Sequence, residues 1–147
     1  MPNTLMNLLV GFTGTRKGMT QYQKDTLAAL WAEHPAELHL GDAIGADAEA
    51  FDLAAATNHV HEWKRPIVLV GYPSDRPDQR AFKHYDMTHG ALPPMERNRL
   101  IVERTDLLVG CPHSMRELET GTWKTIIFAW GKKPVWIVRP DGNIERM

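Results

Sequence analysis

Short apolar runs, each followed at once by a glycine-bearing polar segment, constrain this chain more than any other feature. Leu8-Leu9-Val10 leads into Gly11-Phe12-Thr13-Gly14-Thr15-Arg16, and Glu37 to Leu40 leads into Gly41-Asp42-Ala43-Ile44-Gly45-Ala46-Asp47. Further along, Pro94-Met95-Glu96-Arg97-Asn98 and Gly121-Thr122-Trp123-Lys124 each follow a strand-like stretch. In a parallel α/β sheet the carboxyl ends of all strands lie along one edge, and ligands bind outside that edge where the strand order reverses. Four such segments would therefore meet in space.

The pattern between them supports that architecture. Asn7 to Phe12 reads as a buried strand, and Thr20-Gln21-Tyr22-Gln23 is a capping box opening a helix to about Glu33. Glu37–Leu40 is the second strand, Ala46 to Thr57 an alanine-rich helix that Asn58 can end, and Ile67–Val70 the third strand. Tyr72 to Pro93 has no periodicity, apart from a short helix expected around Arg80 to Tyr85. Pro93-Pro94 begins a helix to about Arg104, because proline suits a first helical turn. Asp106–Gly110 is the fourth strand, Thr122 to Trp130 a helix and Val135–Val138 the fifth strand, with the last residues either a short edge strand or loose. Strands alternating with helices imply a Rossmann-like, doubly wound parallel sheet of about five strands, order 3-2-1-4-5, with helices on both faces. The reversal then falls between strands one and four.

Length and charge restrict the roles open to such a fold. A chain of 147 residues suits one domain. A net charge of −1 gives little electrostatic footprint for nucleic acid. Cys111 is the only cysteine, so neither an internal disulfide nor a thiolate metal cage is available. The chain starts without a basic segment and long apolar stretch, and no apolar run approaches the ~20 residues of a membrane span, so a cytoplasmic protein is expected. The seven histidines are scattered; His59 and His61 could chelate a metal but read better as a solvent-facing pair, so no metal site is expected.

The polar segments fit an anionic ligand. Thr13, Gly14 and Thr15 offer hydroxyl and backbone donors for a phosphate or ribose, and Arg16 can close over it, although the spacing is neither a Rossmann fingerprint nor a Walker loop. Asp42 is placed to accept ribose hydroxyls, Asp47 to cap the next helix, and Gly45 and Ala46 leave room beside that helix start. Gly121 and Thr122 form a phosphate seat at a helix N-terminus, and Trp123 can stack on a base. Glu117 and Glu119 stand just ahead of it, as complements to the helix dipole or as activators of water. Trp31 and Trp130 mark helix faces that could pair two copies into a homo-oligomer, and Cys111 reads as a small buried filler.

Together these segments resemble the SLOG superfamily, named for the Smf/DprA and Lonely-guy groups, and most of all its small stand-alone bacterial and phage-type members related to YpsA and YspA. The likeness runs from about residue 7 to 140 and rests on Gly11 to Arg16, Leu40-Gly41-Asp42 through Gly45-Ala46-Asp47, Arg97-Asn98 and Gly121-Thr122-Trp123. It implies a Rossmann-like fold and a pocket for a nucleotide or an NAD- or ADP-ribose-like derivative, without a further cofactor. Lonely-guy enzymes cleave the N-glycosidic bond of nucleoside monophosphates and carry Pro-Gly-Gly-x-Gly-Thr-x-x-Glu and Met-x-x-Arg-Lys. Here Met95 and Arg97 resemble the second with one residue between them rather than two and Asn98 where lysine stands, while Thr125 takes the glutamate position of the first. The expected reading is thus a sensor, carrier or sequestering protein, with an N-glycosidic-bond hydrolase as the alternative.

Overall fold

A computed structural model describes residues 2–116 and 118–147; Glu117, one of the two expected carboxylates, lies outside the described residues. The strands are β1 (Leu9–Gly14), β2 (Glu37–Leu40), β3 (Val68–Gly71), β4 (Met87–Thr88), β5 (Leu107–Cys111), β6 (Val135–Val138) and β7 (Ile144–Arg146). The helices are α1 (Gln21–Trp31), α2 (Ala46–Val60), α3 (Pro94–Glu103) and α4 (Gly121–Ala129). They form one sheet in the order β4-β3-β2-β1-β5-β6-β7, parallel except for β7. The sheet therefore has seven strands rather than five. The five expected ones keep their neighbours within it, as β3-β2-β1-β5-β6, and the additions are the short edges β4 and β7.

Both sheet faces are covered. On one, Leu27, Leu30 and Trp31 of α1 and the small Ala46, Ala50 and Ala54 of α2 bury against Val10, Leu38, Leu40 and Val109. On the other, Ile126 and Ala129 of α4 and Val102 of α3 pack on Leu108, Val135 and Ile137. Gly11 belongs to this packing, because a Cβ there would sit 2.9 Å from Ile101 Cγ2 and from Thr105 Oγ1. Trp31 is fully buried with its Nε1–H donating to Ala50 O at 3.2 Å, so it is core and not a pairing surface; Trp130 is exposed.

The local signals act where the residues predict, with some departures. Thr20 and Gln23 form the capping box, bonding each other's backbone N–H at 3.1 and 3.0 Å. The same Gln23 is buried and donates through Nε2 to Pro112 O and Val138 O at 2.9 and 3.0 Å, tying α1 to the ends of β5 and β6. Asn58 does not stop α2; its side chain exchanges hydrogen bonds with the backbone of Ile67, fixing the entry to β3. No helix forms over residues 80–85, where Phe82 has φ 56; a 3-10 turn stands earlier, at Pro77–Gln79. This stretch is held instead by bonds to other segments, such as Ala81 N–H to Asp42 O at 2.8 Å. Among the described residues, no helix is long and apolar enough to cross a membrane.

Candidate functional site

The parallel pairing sets β1 and β5 side by side, with Thr13 opposite Gly110 and Gly14 opposite Cys111. From β1 the chain progresses outward through β2, β3 and β4, and from β5 it progresses the other way, so the crevice between their carboxyl ends is the reversal point. A cavity of about 330 Å³ opens there. Its walls include Thr13, Gly14, Thr15 and Arg16 from the end of β1, Arg97 and Asn98 from α3, and Gly121, Thr122 and Trp123 from α4.

Nine of the expected residues thus converge on one cavity. Gly11, Gly41, Asp42, Gly45 and Ala46 do not line it. Asp42 is fully buried in the left-handed backbone region (φ 55), a conformation aspartate tolerates better than most residues. Its carboxylate accepts from Arg80 Nε at 3.0 Å and from Lys83 N–H at 3.1 Å, so it anchors the segment after β3 and has no face toward the cavity. Gly45 (φ 86) carries the chain past the Arg16 carbonyl, where no side chain fits, and Ala46 N–H donates to Thr15 O at 2.9 Å. These residues lock the second loop beneath the first.

The inner wall carries several polar groups among apolar ones. Thr15 N–H is spent on Cys111 O at 3.1 Å, and its hydroxyl oxygen accepts from Lys17 N–H at 3.1 Å. Arg16 reaches across to Gln79 Oε1 at 2.8 Å. Thr120 is the N-cap of α4, accepting from Trp123 N–H at 3.3 Å, which leaves Gly121 and Thr122 at the first two helical positions. Helix geometry gives N–H groups there no intrahelical acceptor, and the positive end of the helix dipole favours anions. Trp123 is only 7 % exposed and donates from Nε1 to Ser114 O at 2.8 Å, so it is anchored as a wall. Thr125 is buried with its hydroxyl on Gly121 O at 2.8 Å, so it does not reach the cavity. Glu119 is exposed and lies off the wall.

Arg97 is the central cation and is 4 % exposed. Its Nη1 donates to Gly41 O and, at 3.2 Å, to Tyr72 O, joining the ends of β2 and β3 to α3. Asp47 stands beside it: a Cβ on Gly41 would come within 2.6 Å of Arg97 Nη1 and 2.8 Å of Asp47 Oδ2. Gly41 is therefore the space this pair occupies. Asp47 does not cap α2, whose N-cap is Gly45; it accepts from Ala43 N–H at 3.2 Å. Burial pushes the Asp47 carboxyl up to about 6, with the Arg97 charge opposing, and burial lowers Arg97 while Asp47 opposes. Desolvation outweighs attraction on both partners, as expected for a buried pair.

The fold is shared with two solved structures. The molybdenum cofactor binding protein from the phototrophic bacterium Rippkaea orientalis aligns with a TM-score of 0.66 at 18 % identity, over 89 % of this chain and 76 % of that one. TM1055, a structural genomics target solved by X-ray, aligns with a TM-score of 0.59 at 17 % identity, over 86 % of this chain and 71 % of that one. At such identities the likeness is one of fold. No family model matches the sequence, and no curated protein does.

Sequence reasoning missed Lys17, Asp47, His113, Ser114 and Thr120 as parts of the cavity wall. Thr120 carried a readable signal, since a threonine ahead of a helical run is an N-cap. Asp47 carried none, because its role depends on an arginine fifty positions away in the chain. Among the described residues no cluster of three or more metal-ligating side chains occurs, and His61 pairs with His34, Nδ1 to Nε2 at 2.9 Å, and not with His59.

Proposed function

We propose that this protein binds a nucleotide or nucleotide-derived anion, of the nucleoside phosphate or NAD/ADP-ribose type, as a sensor, carrier or sequestering protein. One observation carries the reading: the N-terminus of α4 together with Thr13, Thr122, Arg16 and Arg97 borders one cavity at the reversal point of the sheet. The phosphoryl group would sit against the Gly121 and Thr122 N–H groups, with Arg97 behind it and Arg16 swinging from Gln79 to close over it. Fixed donors aimed at one point hold a phosphate without the cost of ordering a loop. The resemblance to the SLOG superfamily supports a nucleotide, and the name of the Rippkaea orientalis protein adds molybdenum cofactor to the ligands to be tried. The hydrolase alternative has less support, because Glu119 is exposed off the described wall and Thr125 is bonded to Gly121 O.

Calorimetry with AMP, ADP-ribose, NAD and molybdenum cofactor tests the proposal. Binding of at least one at micromolar to sub-millimolar concentration, weakened about tenfold or more by Thr122→Val, is the expected result. If nothing bound at ~1 mM, where a standard free energy of about −4 kcal/mol would register, the proposal would fall.

A further inference from the structure

We propose that anion binding in this crevice takes up one proton on Asp47, so that the ligand enters together with a hydrogen ion. The inference rests on the anion-binding reading above and adds its regulation by pH.

Asp47 is the one carboxylate on the described cavity wall, and it is 6 % exposed. Every element packed against it contributes a charged or titratable group. Arg97 faces it from α3, Arg16 from the loop after β1, Asp42 from its own loop, Tyr85 from the segment after β3 and Cys111 from the end of β5. Arg97 is the largest favourable influence on it, and that guanidinium is already shared with the carbonyls of Gly41 and Tyr72.

An anion arriving at Arg97 brings a second negative charge beside the same cation, where both Arg97 and Asp47 are buried. Two anions close together cannot both stay ionised cheaply, and the one nearer neutrality takes the proton. Asp47 is that one, since burial has already moved its carboxyl to about 6. A phosphodiester or sulfate oxygen stays ionised at any such pH. Once protonated, Asp47 can keep Oδ2 on the Ala43 N–H and carry the proton on Oδ1. The repulsion is removed and a donor stands on the wall in place of an acceptor.

The probes are ADP-ribose and sulfate, whose charges stay constant between about pH 5.5 and 8. Calorimetry in buffers of different ionisation enthalpy reads proton uptake directly in the wild-type protein. The expected result is uptake approaching one proton near neutral pH, with affinity falling by up to about tenfold per pH unit above about pH 6. Asp47→Asn should abolish both, and His113→Gln should keep the proton uptake whatever it does to affinity. Binding with one affinity across the range and no uptake would overturn the inference and leave the anion site standing. So would uptake lost in His113→Gln and kept in Asp47→Asn. Failure of both probes to bind at any pH would overturn this inference, and the anion site then stands or falls with the four-ligand calorimetry above. Should Asp47→Asn not fold, the wild-type buffer dependence and His113→Gln decide.

Discussion

Replacing Arg97 by methionine should destabilise the protein strongly, and more at high pH than at low. Methionine keeps much of the length and apolar stem and deletes the charge. Two carbonyls at strand ends, Gly41 and Tyr72, lose their buried donor, and Asp47 loses its principal cation. A hydrogen bond to a charged group contributes about 1.5–3 kcal/mol, and two such bonds are lost together with the nearby charge that favours the Asp47 carboxylate. These terms overlap, so about 4 kcal/mol is a reasonable total, or roughly a 10 °C fall in Tm for a domain of this size. The pH dependence follows from Asp47. In the wild type its folded value is about 6 against 3.8 for an unperturbed aspartate, so the folded state holds the proton more tightly. That contribution is complete below the unfolded value and is lost as pH rises to about 6, a decline of roughly 3 kcal/mol that then levels off. Without Arg97 the folded value climbs, and the decline continues past pH 6 where the wild type is flat. Thermal melts followed by circular dichroism at about pH 5.5 and 8 should therefore show the larger deficit at pH 8. An equal deficit at both would refute the coupling between Arg97 and Asp47. A Tm within about 1 °C of wild type would refute the strut altogether.

Other substitutions probe the parts separately. Gly41→Ala puts a methyl 2.6 Å from Arg97 Nη1 and 2.8 Å from Asp47 Oδ2, so it should lower both Tm and anion affinity, measured by melting and calorimetry, although Gly41 lies off the cavity wall. Thr120→Ala removes the N-cap of α4 and should cost about 1 kcal/mol, a fall of roughly 2–4 °C, together with weaker ligand binding. Asp42→Ala unties Arg80 and the Lys83 amide and should cost about 2–3 kcal/mol, with faster hydrogen exchange at Lys83 as its specific mark.

The sheet was legible because its causes are local. A strand followed by a glycine turn and a capped helix repeats along the chain, and right-handed crossovers leave few arrangements of such units. Pro93-Pro94 and the Thr20/Gln23 box announce helix starts through geometry that one turn of chain contains. The segment between β3 and α3 was not legible. Its order comes from single contacts with distant residues, among them Leu69 N–H to Asp86 Oδ2 at 2.7 Å and the buried carboxylate of Asp42. None of these imposes a period on the sequence.

The candidate site divides along the same line. Residues at strand ends and helix starts, such as Thr13, Gly14, Gly121 and Thr122, reach the cavity because topology alone carries them there. The charged residues do not obey so simple a rule. Asp42 and Asp47 stand five positions apart across one turn, one expected to meet ribose hydroxyls and the other to cap a helix, and the structure bonds Asp42 to Arg80 and sets Asp47 near Arg97. That choice follows from backbone conformation: the positive φ at Asp42 turns its side chain away from the crevice, while the first turn of α2 points Asp47 into it. A buried arginine on α3 is favoured by buried negative charge nearby, which Asp47 and Asp42 both supply, and Gly41 leaves the space open beside Arg97 and Asp47. The polar site is thus specified by a three-residue agreement among Gly41, Asp47 and Arg97, spread over three segments of chain, and a change at any one of them should be felt by the other two.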